Sequence, residues 1–240
     1  MYLLAPIPIR LLVAVPSDLP FAYSVAHDLK APLRGIDGYS RLLLEDYIEK
    51  LDEDGRAFLN SIHTSTVRMN RLIDDLLAYS MIERRDLMAE DIELRSFMEG
   101  LVGERKREVE ERGINLSMRV DGAIVVADHE GLSQALRNYL DNAIQFTRDA
   151  LEPRIEIGAE LNQKKCRFWA RDNGLGFDML HHDRIFEIFH RLHRMEDYQG
   201  TGVGLALVRK AMDRMGGRAW AESVVGQGAT FYLEIPQSHN

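Results

Sequence analysis

The residues best suited to chemistry near the start of the chain are His27, Asp28 and Lys30, in the stretch Ala26-His27-Asp28-Leu29-Lys30-Ala31-Pro32-Leu33. Ala22, Ala26, Leu29, Leu33, Ile36, Leu43 and Tyr47 step by threes and fours, with Ser40 filling the gap, so the segment reads as a helix with one apolar stripe. His27 stands about 100° round the helix from Ala26, at the edge of that stripe, where an imidazole can meet an external reactant. Asp28 turns further toward solvent. Pro32 cannot donate the helical bond to the carbonyl of Asp28 and its ring crowds that carbonyl, so a kink and a freed acceptor are expected beside the histidine. An imidazole next to a carboxylate suits nucleophilic or general-base work. The alternative is a surface histidine on a coiled coil.

A second set of candidates lies downstream. Asp172-Asn173-Gly174-Leu175-Gly176 follows an expected strand, Gly200-Thr201-Gly202-Val203-Gly204-Leu205 precedes a helix, and Gly226-Gln227-Gly228-Ala229-Thr230 leads into the last strand. Glycine permits close backbone approach and positive φ. The 200–204 loop, opening a helix, offers unpaired amides and the positive end of a helix dipole to a phosphate. On an earlier helix Asn138 and Asn142 stand one turn apart on one side. The amide oxygen of Asn142 is a hard ligand suited to a magnesium ion bridging phosphates. Asp172 can accept a hydrogen bond from an exocyclic amine, which suits adenine. Each run alone reads as ordinary turns; in this order and spacing, around paired asparagines, they are strong evidence for a nucleotide site.

These residues need elements to hold them. The first helix is expected from about Ser17 or Asp18, which would cap it, to Tyr47 or Lys50, with Leu51 to Gly55 as the connection. A second helix carries Phe58, Ile62, Ser65, Met69, Leu72, Leu76 and Tyr79, its face widened by Leu59, Thr66, Ile73 and Leu77. Two long helices on a short turn make an antiparallel hairpin. Two helices have too little interior for such broad faces, so two hairpins are expected to pair into a four-helix bundle. The competing possibility is packing on the chain's own second domain.

Arg84 to Glu90 is polar and reads as a hinge. Strands are expected at 91–94, 115–120, 123–127, 154–161, 165–171, 218–223 and 229–235. Helices are expected from Ser96, as cap, to Arg112, from Glu130 to Thr147, and from the 200–204 loop to Met215. The fold class is therefore α+β: residues 1–17 a lead-in, 18–88 the hairpin of a dimeric four-helix bundle, and 89–240 a two-layer α/β sandwich with a largely antiparallel sheet. This order excludes a strand–GxGxxG–helix dinucleotide unit.

Composition bounds the rest. The apolar fraction is 45% and the net charge −8, with no block of Lys or Arg resembling a nucleic-acid arm, so no nucleic-acid partner is expected. One cysteine, Cys166, excludes an intramolecular disulfide and suits a reducing, cytoplasmic compartment. The opening to Pro20 is broken by prolines and by Arg10, and reads neither as a membrane span nor as a signal peptide.

With these stretches in view, the chain resembles the catalytic core of a two-component sensor histidine kinase, in the manner of bacterial phytochrome-type kinases. His27-Asp28-Leu29-Lys30-Ala31-Pro32-Leu33-Arg34 resembles the phosphoacceptor box and Asn138-Tyr139-Leu140-Asp141-Asn142-Ala143 the asparagine box. The glycine runs resemble the remaining nucleotide boxes, and Ile185-Phe186-Glu187-Ile188-Phe189 the aromatic box ahead of the lid. The likeness covers roughly residues 18 to 236. It implies an ATP-dependent histidine kinase acting as a homodimer, with autophosphorylation of His27 and transfer to an aspartate on a response regulator receiver domain. Asp28 would be general base or orienting carboxylate. Asn138, Asn142, Asp172, Gly174, Gly176, Gly200, Thr201, Gly202, Gly204, Leu205 and Thr230 would hold the nucleotide, Asn142 also the Mg2+. Between Phe177 and Gln199 would lie a mobile lid, in which Arg191 or Arg194 contacts phosphate.

Three departures modify that implication. Asn138 occupies the place where gyrase-type ATPases carry a water-activating glutamate, which favours transfer to a protein nucleophile over hydrolysis. Gln145-Phe146 stands where the family often has Lys-Tyr, weakening one phosphate contact. Ala31 stands where many members carry Thr or Asn to position water for dephosphorylating the partner. The alternatives are a plain ATPase, which leaves the histidine box unexplained, and a degenerate kinase serving as a dimeric scaffold. No sensory domain is visible, so an excised core or input from another chain is expected.

Overall fold

The structure is a computed structural model that describes residues 19–162, 164–192 and 200–237, with side chains from Val25 onward. The expected lead-in and the expected caps Ser17 and Asp18 lie outside the described residues. The chain divides into two compact units, residues 1–66 and 67–240.

In the first unit, α1 (Leu19–Asp46) runs unbroken through Pro32, and a short 3-10 turn at Ile48–Lys50 leads into α2 (Glu53–Ile82). Asp52 sets the start of α2, its Oδ1 accepting the Gly55 amide at 2.8 Å, while Arg56 Nε reaches back to the Ile48 carbonyl at 2.9 Å. The inner seam is spaced by sevens, the repeat of a helix-pair contact: Ala26, Leu33 and Ser40 on α1, with Thr66 buried on α2. The hydroxyls are buried without penalty because each is bonded locally, Ser40 to the Asp37 carbonyl and Thr66 to the Ile62 carbonyl, both at 2.9 Å. His63 Nδ1 lies 2.8 Å from Asp37 Oδ1 across the seam. The buried line is narrower than the stripe read from the sequence. Leu29, Ile36, Leu43 and Tyr47 on α1, and Phe58 and Ile62 on α2, remain exposed.

The second unit begins with the last turns of α2. Then come β1 (Ala89–Glu93), α3 (Leu94–Gly103), α4 (Lys106–Glu111), β2 (Asn115–Val120) and β3 (Ile124–Asp128). After α5 (His129–Phe146) follow β4 (Arg154–Asn162), β5 (Lys165–Asp172), α6 (Gly204–Arg214), β6 (Arg218–Val224) and β7 (Gly228–Pro236). Five strands form one sheet in the order β2-β4-β5-β7-β6, and β1 pairs antiparallel with β3 apart from it. The large sheet is mixed: β2 runs parallel to β4, and the other neighbours are antiparallel.

Two helix boundaries differ from the expectation. Glu93, not Ser96, caps α3, its carboxylate accepting the amides of Arg95 at 3.1 Å and Ser96 at 2.7 Å. The expected single helix to Arg112 is broken between Gly103 and Lys106, where Glu104 and Arg105 turn to pair with Arg137 and Asp141 of α5. Glycine at the break makes the helix easy to interrupt.

Alternation places Ile155, Ile157, Cys166, Phe168, Phe231 and Leu233 on the sheet face that packs α5 and α6. From α5 come Leu132, Leu136, Tyr139, Leu140 and Ala143, the inner face read from the sequence. Tyr139 is fully buried, and its hydroxyl donates to the Tyr232 carbonyl at 3.1 Å. Each such large side chain contributes about 1.5–3 kcal/mol by leaving water. This core holds α5 and the start of α6 over one end of the sheet, where the glycine runs meet.

Candidate functional site

His27 lies on an exposed side of α1, its side chain 67% accessible and that of Asp28 75%. Its Nδ1 is 3.4 Å from Asp28 Oδ1, which leaves Nε2 toward solvent. Nucleophile and carboxylate are thus adjacent and reachable.

In the second unit a cavity of about 770 Å³ opens beside α5, large enough for a nucleotide. Asn138, Asn142, Asp172, Gly176, Arg191, Gly200, Thr201, Gly202, Gly204 and Leu205 line it. Gly174 and Thr230 stand outside the lining. Gly174 acts one step away, its amide donating to Asp172 Oδ1 at 2.8 Å. Thr230 pairs with Arg171 on the outer face of the sheet, its neighbours Ala229 and Phe231 facing the cavity instead. Arg194 lies outside the described residues.

Asp172 ends β5 with its carboxylate buried, and burial pushes its pKa up to about 6 against the hydrogen bonds from the Gly174 and Ala229 amides. The turn that holds it requires glycine at Gly228, which has φ +93° and lies so close that a Cβ would run into the Asp172 carbonyl. The helix α6 begins at Gly204, and its N-cap residue Val203 makes no side-chain hydrogen bond to the first amides. Thr201 Oγ1 accepts the Val203 amide at 3.3 Å, and Arg191 Nη1 donates to the Gly200 carbonyl at 2.6 Å. Phe189, in the left-handed region at φ 63°, donates its amide to the Gly202 carbonyl at 2.8 Å, fastening the end of the aromatic box to the loop.

These residues fit an adenine nucleotide. The buried Asp172 carboxylate, the apolar side chains Phe177, Ile185 and Phe231, the amide of Asn142 and the loop that opens α6 all line the one cavity. The Nδ1 of His190 is buried in the wall with no partner among the described residues. Asn142 and phosphate oxygens together form a donor set suited to magnesium.

Several lining residues escape a reading of motifs. Arg71 and Asp75 come from α2, and Asp75 accepts a hydrogen bond from Thr201 Oγ1. Arg105 comes from the α3–α4 break and is bidentate to Asp141 at 2.6 and 3.1 Å. Only tertiary packing brings them there. The charged i, i+4 pair at Arg71 and Asp75 was the one available signal, and it reads equally as a solvated helix face.

An exposed histidine–aspartate pair on a helical hairpin, followed by an α/β domain with a glycine-lined nucleotide cavity, defines the catalytic core of a histidine kinase. Residues 20–85 match the His Kinase A (phospho-acceptor) domain, and residues 127–239 match the histidine kinase-, DNA gyrase B-, and HSP90-like ATPase family. The chain belongs to the sensor histidine kinases, of which it carries that core. It is 38% identical to cyanobacterial phytochrome A of Nostoc sp. strain PCC 7120 over 90% of its own length and 28% of that relative. It thus spans less than a third of the length of the curated relative. Among solved structures it resembles full-length ShkA in complex with AMPPNP, at TM-score 0.70 and 25% identity, covering 92% of this chain and 46% of that one. It also shares its fold with histidine kinase ThkA in complex with the response regulator protein TrrA, at TM-score 0.63 and 21% identity, over 92% of this chain and 64% of that one.

Proposed function

We propose that the chain uses ATP to phosphorylate His27 and then passes the phosphoryl group to an aspartate on a response regulator. The observation that carries the reading is that Asn142, the buried Asp172 and residues of the 200–204 loop line one and the same cavity. The exposed His27–Asp28 pair supplies the acceptor.

Asp172 would accept the adenine amine. The amides opening α6 would face the phosphates and offset charge on the transferring group, as preorganised dipoles do. Asn142 would hold magnesium, which when bound neutralises phosphate charge. Asp28, beside Nδ1, would hold the Nδ1–H tautomer, so that Nε2 carries the lone pair. Nε2 then bonds to the γ-phosphorus as the bond from that phosphorus to the β,γ-bridging oxygen breaks, releasing ADP. The Nδ1 proton is held by Asp28 or passes to it. In the second step the Nε2–P bond breaks and a carboxylate oxygen of the regulator takes the phosphoryl group.

The exposed stripes of Leu29, Ile36, Leu43, Phe58 and Ile62 support a homodimer in which two hairpins, residues 18–88, form a four-helix bundle, with 89–240 as the ATP-binding domain. Among the described residues no helix is long and apolar enough to cross a membrane; a cytoplasmic location is part of the proposal and rests on the reducing compartment that the lone Cys166 suits. The test is incubation with γ-labelled ATP. Wild type should take up acid-labile label and His27→Gln none; a mutant that kept the full label would remove His27 from the reaction, and turnover without label would leave a plain ATPase.

A further inference from the structure

Residues 75 to 85 run beside α6 in a row of contacts, all within the second unit. Arg214, at the end of α6, donates to the carbonyls of Ile82 and Arg85. Lys210 lies 2.9 Å from Glu83 and 3.8 Å from the centre of the Tyr79 ring. The last contact of the row, at the opposite end of α6, is the hydrogen bond from Thr201 to Asp75. That contact differs in kind from the others. The first two fasten helix to helix away from the cavity, whereas Asp75 and Thr201 both line it.

Asp75 therefore sets a carboxylate at the glycine loop whose bare amides and helix dipole attract anions. Its oxygen takes the Thr201 hydroxyl hydrogen, the loop's one side-chain donor. Burial raises the pKa of Asp75 above its ordinary value, partly offset by the Thr201 hydrogen bond and by the charge of Arg71, which stands one turn earlier and lines the same cavity. Arg71 is also placed to turn to another anion.

The geometry points to a nucleotide-released latch: the Asp75 carboxylate is a resident competitor for the phosphate end of the cavity, and a bound triphosphate displaces it from Thr201 and takes over Arg71. This rests on the nucleotide reading above and adds a consequence to it. Loading the site frees the 71–75 turn of α2 from the nucleotide loop, while the Arg214 and Lys210 contacts keep the following turns fastened as a pivot. Site occupancy is thereby reported to the helix that continues into the acceptor hairpin. Two anions cannot share one donor set, so each weakens the other's hold.

Binding of a non-hydrolysable ATP analogue and of adenosine to the whole chain, by calorimetry, tests the latch in wild type, Asp75→Ala and Asp75→Asn. Removal of the carboxylate should tighten the analogue about tenfold, the gain expected if the latch is closed in about nine molecules of ten. Adenosine affinity should stay unchanged, because it brings no phosphate. Asp75→Asn keeps an acceptor for Thr201 without the charge and should give a smaller gain, and it serves if the alanine variant does not fold. Hydrogen exchange at residues 70–78 should quicken when the analogue is added to wild type and be already quick in Asp75→Ala. Wild type that bound neither ligand would overturn the nucleotide reading together with the latch. Wild type that bound the analogue, with both variants binding it no more tightly or gaining equally for adenosine, would overturn the latch alone.

Discussion

The Asp172 carboxylate accepts the Gly174 amide at 2.8 Å inside the cavity, yet burial pushes its pKa up to about 6. The folded chain therefore holds a proton at Asp172 that the unfolded chain, with the ordinary value of 3.8, gives up sooner. Between about pH 4 and 6 the native state binds more protons, so this group's contribution to stability falls as pH rises and levels off above pH 6. Asp172→Asn lacks the ionisation and should be the more stable protein above pH 6, by about 2–3 kcal/mol at most, with the advantage gone below pH 4. Paired denaturant melts across this range measure it, and a constant difference would contradict the assignment.

The same group sets a pH dependence of binding with the opposite sign. Accepting the adenine amine favours the ionised carboxylate, so affinity for an ATP analogue should fall as pH drops through about 6 in wild type. In Asp172→Asn it should be weaker by about 10- to 100-fold at pH 7.5 and nearly flat with pH, as a misplaced donor faces the amine. Titration calorimetry at several pH values separates the two.

Gly204 opens α6 beside Asn138, and a Cβ there would run into Asn138 Oδ1 with no backbone in the way. Alanine suits a helix better than glycine, by less at this first helical position than the roughly 0.8–1 kcal/mol of a helix interior, so Gly204→Ala should leave the melting temperature nearly unchanged. Asn138 must nevertheless swing aside, and analogue affinity should fall about tenfold. A variant that bound as wild type does would show that Asn138 does not contact nucleotide.

The helices, the strands and the glycine runs were legible because period and punctuation are local properties. Leu132, Leu136, Tyr139, Leu140 and Ala143 repeat with the helix and are buried as the repeat requires. The parallel pairing of β2 with β4 was not legible, since direction depends on how the chain returns. Nor was the break at Glu104 and Arg105, which is held by Arg137 and Asp141 some thirty residues away. Nor could the sequence separate the seam that closes the hairpin itself from the rest of the apolar stripe. Ala26, Leu33 and Ser40 face the partner helix, and Leu29 and Ile36 share their stripe in sequence but not their burial. In the site, Asp75 carries no local sign that it reaches Thr201.

Glu234 is buried on the outer face of the sheet, where burial alone would raise its pKa. Hydrogen bonds from Lys165, Arg218 and Arg167 outweigh that and hold it at about 2. Since the ordinary value is 4.5, its contribution to stability is full above pH 4.5 and is lost as pH falls toward 2. The three cations are partly exposed, so solvent screening reduces the effect to about 2 kcal/mol. Glu234→Gln should cost that much at pH 7 and about a quarter of it near pH 2.5. Equal losses at both would mean that packing, not charge, is what Glu234 supplies.

The hairpin leaves Ile36 on α1 and Phe58 and Ile62 on α2 in contact with water, Phe58 at 67% exposure. A solvated surface does not keep large apolar groups at helical spacing without a partner, and a second hairpin offers the matching face. Wild type should sediment as a dimer. Ile36→Glu puts a charge into the proposed interface but lies off the line of Ala26, Leu33 and Ser40 that closes the hairpin itself. It should therefore give a folded monomer, with helix content retained by circular dichroism and association weakened by about 100-fold or more in Kd. If Ile36→Glu stayed dimeric, the exposed stripe would not be the contact between chains. If wild type were itself a monomer at high concentration, the bundle would be wrong.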